Sequence, residues 1–293
     1  MNLGVRALLA ILWLLHGLPI GVLSALGSAL GSLLHALAKS RRRIAKRNVE
    51  LCLPEFDAVQ REALIREHFR WLGRSLLERG VFWYASRERI MSLIEIEGDV
   101  HLAERTPGPV MWVVPHFLAL EAAACAVQLF QQRRAATIYQ AQSNPVFDKA
   151  VRAGRERFGN SALFSRQESA RPLMRAIRDG MVFFNLPDMD FGIKDAAFVP
   201  FFGVPAATLL APSRMARSLG MTVQLVVAEM LEHGGWRVRF LPAWTDWPSE
   251  DALADTLRMN RWIEAEVRRN PAQYLWVHKR FKTRPEGEPA LYG

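Results

Sequence analysis

Cysteine is scarce in this chain, and no residue before Glu50 is acidic. Of the 293 residues only two are cysteines, Cys52 and Cys125, which gives no disulfide framework and no sign of an extracellular fold. The sequence also has no internal repeat, no low-complexity tract and no pronounced linker. Because half of the residues are apolar, the chain can bury a large core, and we expect one large domain with a smaller appendage.

Several motifs that carry well-known chemistry are also missing from the sequence. There is no G-x-S-x-G turn, no zinc-ligand spacing, no Walker A sequence and no glycine fingerprint for dinucleotides. Cys125 lies in an apolar, alanine-rich context, which disfavours it as a nucleophile. We therefore expect a reaction that needs no metal ion, no cofactor and no covalent enzyme intermediate.

Positive charge is concentrated near the N-terminus. The formal net charge is +9, but Arg6 and the six cations of Lys39–Arg47 supply seven of the charges. Residues 48–293 contain 31 Lys and Arg against 29 Asp and Glu. This near balance argues against a broad surface for polyanions, so we expect no nucleic-acid partner.

An uncharged stretch precedes the basic cluster. From Ala7 to Ala38 there are 32 residues without Asp, Glu, Lys or Arg. Within it, Ala7–Gly27 alone is long enough to cross a bilayer, which takes about 20 apolar residues. The cluster Lys39–Arg47 follows at once, which predicts that this end faces the cytoplasm and contacts anionic lipid head groups.

Three other interpretations of the uncharged stretch remain open: a cleaved signal peptide, a buried core helix and a monotopic hairpin. A signal peptide is disfavoured because the stretch exceeds the usual apolar length of about 7 to 15 residues and a dense basic block follows it. A core helix would not need that basic block. A hairpin is permitted because Gly17, Pro19 and Gly21 allow the helix to break.

The remainder of the chain alternates between strand and helix candidates. Residues 57–85 show helical periodicity. Strand candidates are Val110–Val114, Ala136–Tyr139, Met181–Asn185, Thr222–Ala228 and Arg237–Leu241, and helical candidates are 118–130, 145–157, 170–178, 208–219 and 251–269. This alternation predicts an α/β fold with a central, largely parallel sheet flanked by helices. The expected parts are a membrane anchor over 1–38, a basic neck over 39–49 and a catalytic domain over 50–293.

A histidine and a glutamate follow the first strand candidate. The apolar run leads through Pro115, which disfavours helix, to His116, and Glu121 lies in the first turn of the next helix. In a continuous helix, five steps of about 100° would place the two side chains on different faces, so we expect His116 off the helix. Glu121 could then accept the proton of one imidazole nitrogen and leave the other nitrogen free as a base. The alternative is a loop histidine beside a glutamate that favours the helix dipole.

Two arginines share one face of a later helix. Asn144 and Pro145 open this helix, and Arg152 and Arg155 stand near one another at i, i+3 spacing. They could clamp a phosphate or stabilise an oxyanion. The alternative is a solvated helix face.

Two aspartates follow a buried strand candidate. Asp188 and Asp190 come just after the strand that ends at Asn185, where open α/β sheets bind ligands. Capping of a turn by Asp188 is the plainer alternative. A magnesium site is disfavoured because the sequence offers no further clustered ligands.

Two aromatic segments follow. Phe198–Thr208 is predicted as a proline-stiffened loop that leads into a helix; it could line an apolar channel, or its phenylalanines could belong to the core. Trp276–Pro285 places cations, Arg280 among them, between aromatic residues. This pattern suits a phosphate-bearing or acidic partner, or alternatively an anionic lipid surface.

Together these motifs resemble the bacterial lipid A late acyltransferases, the lauroyl/myristoyl acyltransferase family, which is related to glycerolipid acyltransferases through a His-x4-Asp/Glu motif. The resemblance covers nearly the whole chain. The segments that carry it are the N-terminal apolar stretch, His116 with Glu121, the helix Asn144–Arg155, the turn Pro187–Gly192, the segment Phe198–Thr208 and the closing Trp276–Pro285.

The resemblance implies transfer of a fatty acyl chain from acyl carrier protein to a hydroxyl on a 3-hydroxyacyl chain of a lipid A precursor of the Kdo-lipid IVA type. His116 would be the base and Glu121 its orienting partner. Arg155 would assist at the thioester or at the sugar phosphates, with Asp188 and Asp190 shaping the site. Lack of a nucleophile fits direct attack in a ternary complex.

The resemblance also implies the partners and the location: a bacterial inner membrane, with the catalytic domain facing the cytoplasm. The acyl carrier protein would be an acidic partner that the basic neck or the C-terminal cations attract. Two alternatives remain: an acyltransferase for another lipid, such as a lysophospholipid, an ornithine lipid or a glycolipid, and a non-catalytic membrane adaptor.

Two positions depart from the family pattern. Pro115 stands where relatives often carry a small or polar residue, and Leu120 stands where many carry an aromatic residue. Neither departure touches the proton-transfer groups, but both could alter the pocket and thus the acyl length.

Overall fold

The computed structural model describes residues 2–166 and 169–293, and its strands form one large sheet and one hairpin. The strands are β1 (Ile94–Gly98), β2 (Val110–Val113), β3 (Ala135–Tyr139), β4 (Ser161–Ser165), β5 (Val182–Asn185), β6 (Ala196–Phe201), β7 (Val204–Leu209), β8 (Thr222–Met230) and β9 (Trp236–Phe240). The sheet has seven strands in the order β1-β9-β8-β2-β5-β3-β4, and β6 pairs with β7 as an antiparallel hairpin. Neighbours in the sheet run parallel except β8 and β9, which confirms the predicted α/β class with a largely parallel sheet.

Helices flank this sheet on both faces. They are α1 (Leu3–Leu15), α2 (Ile20–Leu37), α3 (Lys39–Cys52), α4 (Ala58–Tyr84), α5 (Arg87–Leu93), α6 (Leu102–Arg105), α7 (Leu120–Leu129), α8 (Pro145–Glu156), α9 (Arg171–Arg178), α10 (Ala211–Leu219) and α11 (Ala252–Arg269). Strand β2 shows why both faces are covered, because Val110 and Trp112 belong to one apolar layer whereas Met111 and Val113 belong to the other. A strand made only of apolar residues therefore indicates that both faces of the sheet are buried at that strand.

The segment predicted as an aromatic loop is in fact the β6–β7 hairpin, so that prediction is wrong. Its turn consists of Phe202 and Gly203, with φ of 50° and 76°. Two consecutive positive φ angles suit the twist of a tight hairpin, although phenylalanine rarely adopts one. Phe201 is buried in the core, as the plainer alternative expected.

The N-terminal apolar stretch is broken. The stretch Ala7–Gly27 is divided between two helices, because α1 ends at Leu15 and α2 begins after Pro19, within the segment where the sequence permits a break. Among the described residues, α2 is the helix that is long and apolar enough to cross a membrane. Both helices pack against α4.

The basic segment forms α3, which packs into the fold on one side. Ile44, Val49 and Cys52 are buried on its inner face. Asn48 lies between them, and its amide donates hydrogen bonds of 2.7 Å to the carbonyl oxygens of Trp276 and His278. Helix α3 thus positions the C-terminal segment that passes the predicted site.

A buried histidine in α4 makes the stability of the fold depend on pH. His68 is fully buried, and its Nδ1 bonds the Ala272 carbonyl at 3.0 Å. Burial lowers the pKa of His68 to about 4, and the bond to Ala272 offsets only part of the effect. Because the unfolded chain takes up this proton below pH 6.5 while the folded chain does not, the free energy of unfolding falls as the pH drops from 6.5 towards 4.

We expect His68→Gln to remove this dependence. Between pH 7 and pH 5 the wild-type protein should lose about 2 kcal/mol of stability through His68, a loss that the variant lacks. Denaturant titrations of both proteins at the two pH values would measure the difference. Equal pH dependence in both would show that His68 is not the group responsible.

Candidate active site

Two neighbouring strands bring a histidine and an aspartate together. Val113 of β2 pairs with Asn185 of β5, and the Val114 N–H donates to the Asn185 carbonyl at 2.9 Å. The two parallel strands therefore end at the same edge of the sheet. His116 follows the first and Asp188 follows the second, so the sheet itself sets their distance.

Asp188 holds the His116 imidazole. The Nδ1 atom of His116 lies 2.6 Å from one carboxylate oxygen of Asp188. The other oxygen accepts the His116 backbone N–H at 2.9 Å and the Tyr274 hydroxyl at 3.1 Å. Because a carboxylate only accepts hydrogen bonds, the proton of the neutral imidazole must sit on Nδ1. Nε2 is left as the basic nitrogen.

The ionised state of Asp188 is maintained in a buried position. Only 1% of its surface is exposed, and burial alone would raise the pKa of the carboxyl group. The adjacent His116 imidazole and the hydrogen bonds from His116 outweigh burial, so the pKa of Asp188 lies below its ordinary value. The aspartate is therefore charged at neutral pH and can stabilise an imidazolium.

The predicted contact between Glu121 and His116 is wrong: the carboxylate of Glu121 pairs with Arg155. Arg155 approaches with Nη2 at 2.5 Å and with Nε at 3.2 Å from the same carboxylate oxygen. Burial would raise the pKa of Glu121, but Arg155 and, next, Arg79 lower it below the ordinary value. The pair is a hydrogen-bonded ion pair at the N-terminus of α7, in which Glu121 is buried and Arg155 is half-buried.

An apolar pocket opens beside this ion pair. It is a half-open cavity between α7, α8 and strands β3, β4 and β5, with an empty volume of about 510 Å³ that includes solvent at its mouth. Glu121 and Arg155 line it together with mainly apolar side chains, including Ala124, Leu163 and Phe184. Leu186 also lines this pocket and lies two residues before Asp188, whereas His116 and Asp188 themselves line a separate, smaller cavity.

Arg152 and Arg155 contact different partners in the structure. The guanidinium of Arg152 lies 5.5 Å from the centroid of the Tyr139 ring, whereas Arg155 is paired with Glu121. The side chain of Asn144 accepts the N–H groups of Val146 and Phe147, which confirms the predicted start of α8. A role of either arginine in substrate binding stays a prediction.

Asp190 and Arg280 support the surroundings of the site. Asp190 accepts the backbone N–H of Thr283 at 2.6 Å and its hydroxyl at 2.8 Å. Arg280 is buried and donates to the Ala207 carbonyl at 2.9 Å and to the Thr208 hydroxyl at 2.7 Å. Both residues thus tie the C-terminal segment to the rest of the domain. A direct contact with substrate stays a prediction for each of them.

Two residues that sequence reasoning did not select complete the site. Tyr274 donates to Asp188, as described above, and His278 lines the same small cavity as His116. Burial first, and then the neighbouring His116, lowers the pKa of His278 to about 4, so this imidazole is neutral near pH 7. Its Nε2 accepts the Asp190 N–H at 3.1 Å. The aromatic and basic pattern of Trp276–Pro285 indicated that the segment containing His278 could have a binding role. No pattern in the sequence indicated a role for Tyr274.

The chain matches one family along almost its full length. The sequence model of the family described as bacterial lipid A biosynthesis acyltransferase matches residues 3–283. A lipid A biosynthesis palmitoleoyltransferase of Escherichia coli strain K12 is 35% identical over 290 residues, which cover 97% of this chain and 92% of the relative. The lauroyltransferase of the same pathway and strain is 33% identical, with 97% and 93% covered. The myristoyltransferase is 30% identical, with 90% and 82% covered.

Proposed function

The chain belongs to the bacterial lipid A biosynthesis acyltransferase family, and from this premise we propose that it transfers a fatty acyl chain from acyl carrier protein to a hydroxyl of a 3-hydroxyacyl chain on a Kdo-lipid IVA-type precursor. The observation that carries the proposal is the His116–Asp188 pair after the ends of β2 and β5, in a domain that also contains an apolar pocket. A held imidazole is a suitable base for a hydroxyl, and an apolar pocket suits an acyl chain.

The proposed mechanism begins with removal of the hydroxyl proton. Nε2 of His116 accepts this proton while the oxygen attacks the carbonyl carbon of the thioester, and Asp188 stabilises the imidazolium that forms. The tetrahedral intermediate then breaks its carbon–sulfur bond. The thiolate takes the proton from His116, which restores the neutral base and completes the ester. No covalent enzyme intermediate is needed.

The Glu121–Arg155 pair has a different proposed role. Its guanidinium lies at the pocket wall, where it could donate to the thioester oxygen as negative charge develops. Glu121 then fixes the guanidinium and compensates part of its charge. This assignment keeps both residues in the site but makes Glu121 the partner of Arg155, in agreement with the hydrogen bonds between them.

We propose that the apolar pocket binds the acyl chain of the donor. The size of the pocket should then limit the length of the acyl chain that is transferred. Ala124 lines the pocket from α7. We expect Ala124→Phe to shift the preferred donor towards acyl chains shorter by about two carbons or more. The larger side chain fills part of the pocket, and each methylene group that can no longer be buried there lowers kcat/KM by the equivalent of about 0.8 kcal/mol. Competition between acyl donors of graded length would measure the shift.

A matched control separates pocket filling from general damage. Ala254 is exposed on α11, and Ala254→Phe should leave the preference unchanged. An unchanged preference in Ala124→Phe, with activity retained, would place the acyl chain elsewhere.

The proposed location is the inner membrane, with the catalytic domain on the cytoplasmic side. Support comes from the apolar α2 and from the cations of α3, which follow it directly. A lipid-linked acceptor stays in the membrane, so an enzyme that acts on it gains from attachment at the interface. The acidic carrier protein would approach from the cytoplasm, drawn by exposed basic residues.

The proposal is tested by offering donors and acceptors to the purified protein. Acyl carrier protein loaded with fatty chains should donate to the lipid A precursor, and mass spectrometry of the product should show the added acyl group. Transfer only to a lysophospholipid, an ornithine lipid or a glycolipid would reassign the acceptor. Lack of transfer to any lipid would favour a non-catalytic adaptor.

A further inference from the structure

The outward side of α1 and α2 exposes a series of large apolar side chains. The one charged residue of these two helices is the exposed Arg6 near the start of α1, and none lies between Ala7 and Ala38. The members with the largest exposure are Leu3, Leu8, Ile11, Trp13, Leu14, Val22, Leu26, Leu33 and Leu37. A surface of this kind is larger than scattered apolar residues produce, and it requires a partner. We refer to these nine residues as the N-terminal apolar face.

The inward side of α2 is docked on α4 with backbone in contact. A Cβ built on Gly27 would lie 2.6 Å from the Cα of Arg74, and one built on Gly31 would lie 2.1 Å from the Phe69 carbonyl oxygen. About one turn before Gly27 on α2, the buried Glu78 accepts the Ser24 hydroxyl at 2.8 Å. Because no side chain separates the backbones, α2 and α4 form one rigid pair along most of the length of α2.

Charged residues of α4 run beside α2. Glu62 lies 3.5 Å from the ring of His35 near the end of α2, and Arg70 lies beside Gly31. The side chains of Arg66 and Arg70 are exposed to 68% and 47%. With its 18 residues α2 is about 27 Å long, close to the thickness of the hydrocarbon core. An upright α2 would therefore carry these ionised groups of α4 to membrane depth, where such groups are costly and rare.

The corner between α1 and α2 is also attached to the folded domain. Arg89 of α5 donates to the Gly17 carbonyl oxygen at 3.0 Å and also bonds the Leu18 carbonyl. On the other side of the corner, α1 crosses α4 where Leu12 meets Gly80. Neither helix can leave the domain without breaking these contacts. The N-terminal pair is therefore part of the folded body.

We propose that the N-terminal apolar face lies in one leaflet of a bilayer with α1 and α2 parallel to the membrane plane, so that neither helix crosses it. Exposed cations of α3 at Lys39, Arg43 and Lys46 then reach anionic phospholipid head groups at the end of α2. The flanking charges of α4 stay at the level of water and head groups. The inference rests on the membrane location in the proposed function and is independent of the reaction.

Cysteine labelling in sealed membrane vesicles tests the arrangement. Gly17 and Ser40 flank α2, and Leu253 is exposed on α11 of the catalytic domain. Each is replaced singly by cysteine, and a membrane-impermeant maleimide is applied to inside-out and right-side-out vesicles. The native Cys52 and Cys125 are buried, so the wild-type protein supplies the background.

The proposal expects all three cysteines to be labelled from one side, that of Leu253→Cys. A crossing α2 would instead place Gly17→Cys and Ser40→Cys on opposite sides. Labelling of Gly17→Cys from the side opposite Leu253→Cys, or absence of its labelling from the Leu253 side, overturns the proposal. Neither result depends on acyl transfer, so the location and the reaction are tested separately.

A pair of charge substitutions tests the lipid contact itself. Leu26 on α2 and Leu253 on α11 are exposed to 44% and 48%. Leu26→Arg should lower the partition of the protein onto vesicles that contain anionic phospholipid by about tenfold, because it places a charge in the inserted face. Leu253→Arg should leave the partition unchanged. Equal binding of both variants would show that the N-terminal apolar face does not contact lipid.

Discussion

His116→Ala should lower the turnover of acyl transfer by about 10²- to 10⁴-fold, the range typical for loss of a positioned general base. In the variant the two titratable neighbours described above are poor bases, because Asp188 has a pKa below its ordinary value and the pKa of His278 is about 4. The measurement is kcat with acyl carrier protein as donor and the lipid A precursor as acceptor. KM should change less than kcat, since the imidazole acts mainly in the transition state.

The control for this variant is another histidine on the surface. His233 is exposed in the turn between β8 and β9, and His233→Ala should retain wild-type turnover. Thermal unfolding of His116→Ala should stay close to that of the wild type, which excludes misfolding as the cause. Turnover within a few-fold of wild type in a folded His116→Ala protein would end the proposal that this residue is the base.

The parts of the fold that the sequence predicts are those with local signals. Val110–Val114 is a short apolar run beside a proline and was predictable as a buried strand, and Asn144 with Pro145 marked the start of α8 correctly. Strands β1 and β4 were missed because both lie at the edges of the sheet and are partly exposed. An edge strand carries little apolar periodicity to detect.

The β6–β7 hairpin was missed for a different reason. Pro200 and Pro205 lie within it and pair with each other, and proline within an apolar run argues against a strand. In a two-stranded hairpin, however, each strand has a free edge where the missing N–H costs nothing. The sequence cannot reveal which strands have such an edge, because that depends on pairing across the whole fold.

The partner of His116 could be predicted only in part. Asp188 was selected as a residue after a strand end, whereas Glu121 was selected as the partner because it is near His116 in sequence. The correct pairing depends on β2 and β5 being neighbours, which is a contact between segments about 70 residues apart. Sequence spacing favours local pairs, whereas the sheet order brings distant residues together.

The second large effect is expected for Asp188→Asn, which should lower kcat by about 10²- to 10⁴-fold while the protein stays folded. The carboxylate accepts three hydrogen bonds, two from His116 and one from Tyr274. An asparagine offers only one oxygen, so its amide would face at least one of these donors. The imidazole would lose its fixed tautomer and the negative charge that stabilises its protonated form.

Two companion variants separate this role of Asp188 from that of Glu121. Tyr274→Phe removes one of the three hydrogen bonds and should cost only about tenfold in kcat, because His116 remains held. Glu121→Gln should lower kcat by only about tenfold and should lower stability, since the half-buried Arg155 loses the partner that fixes it while the His116–Asp188 pair stays intact. If Glu121→Gln abolished kcat and Asp188→Asn spared it, Glu121 would orient the base in the working enzyme. The His116–Asp188 hydrogen bond in this structure would then belong to a state of the enzyme that is not the catalytically active one.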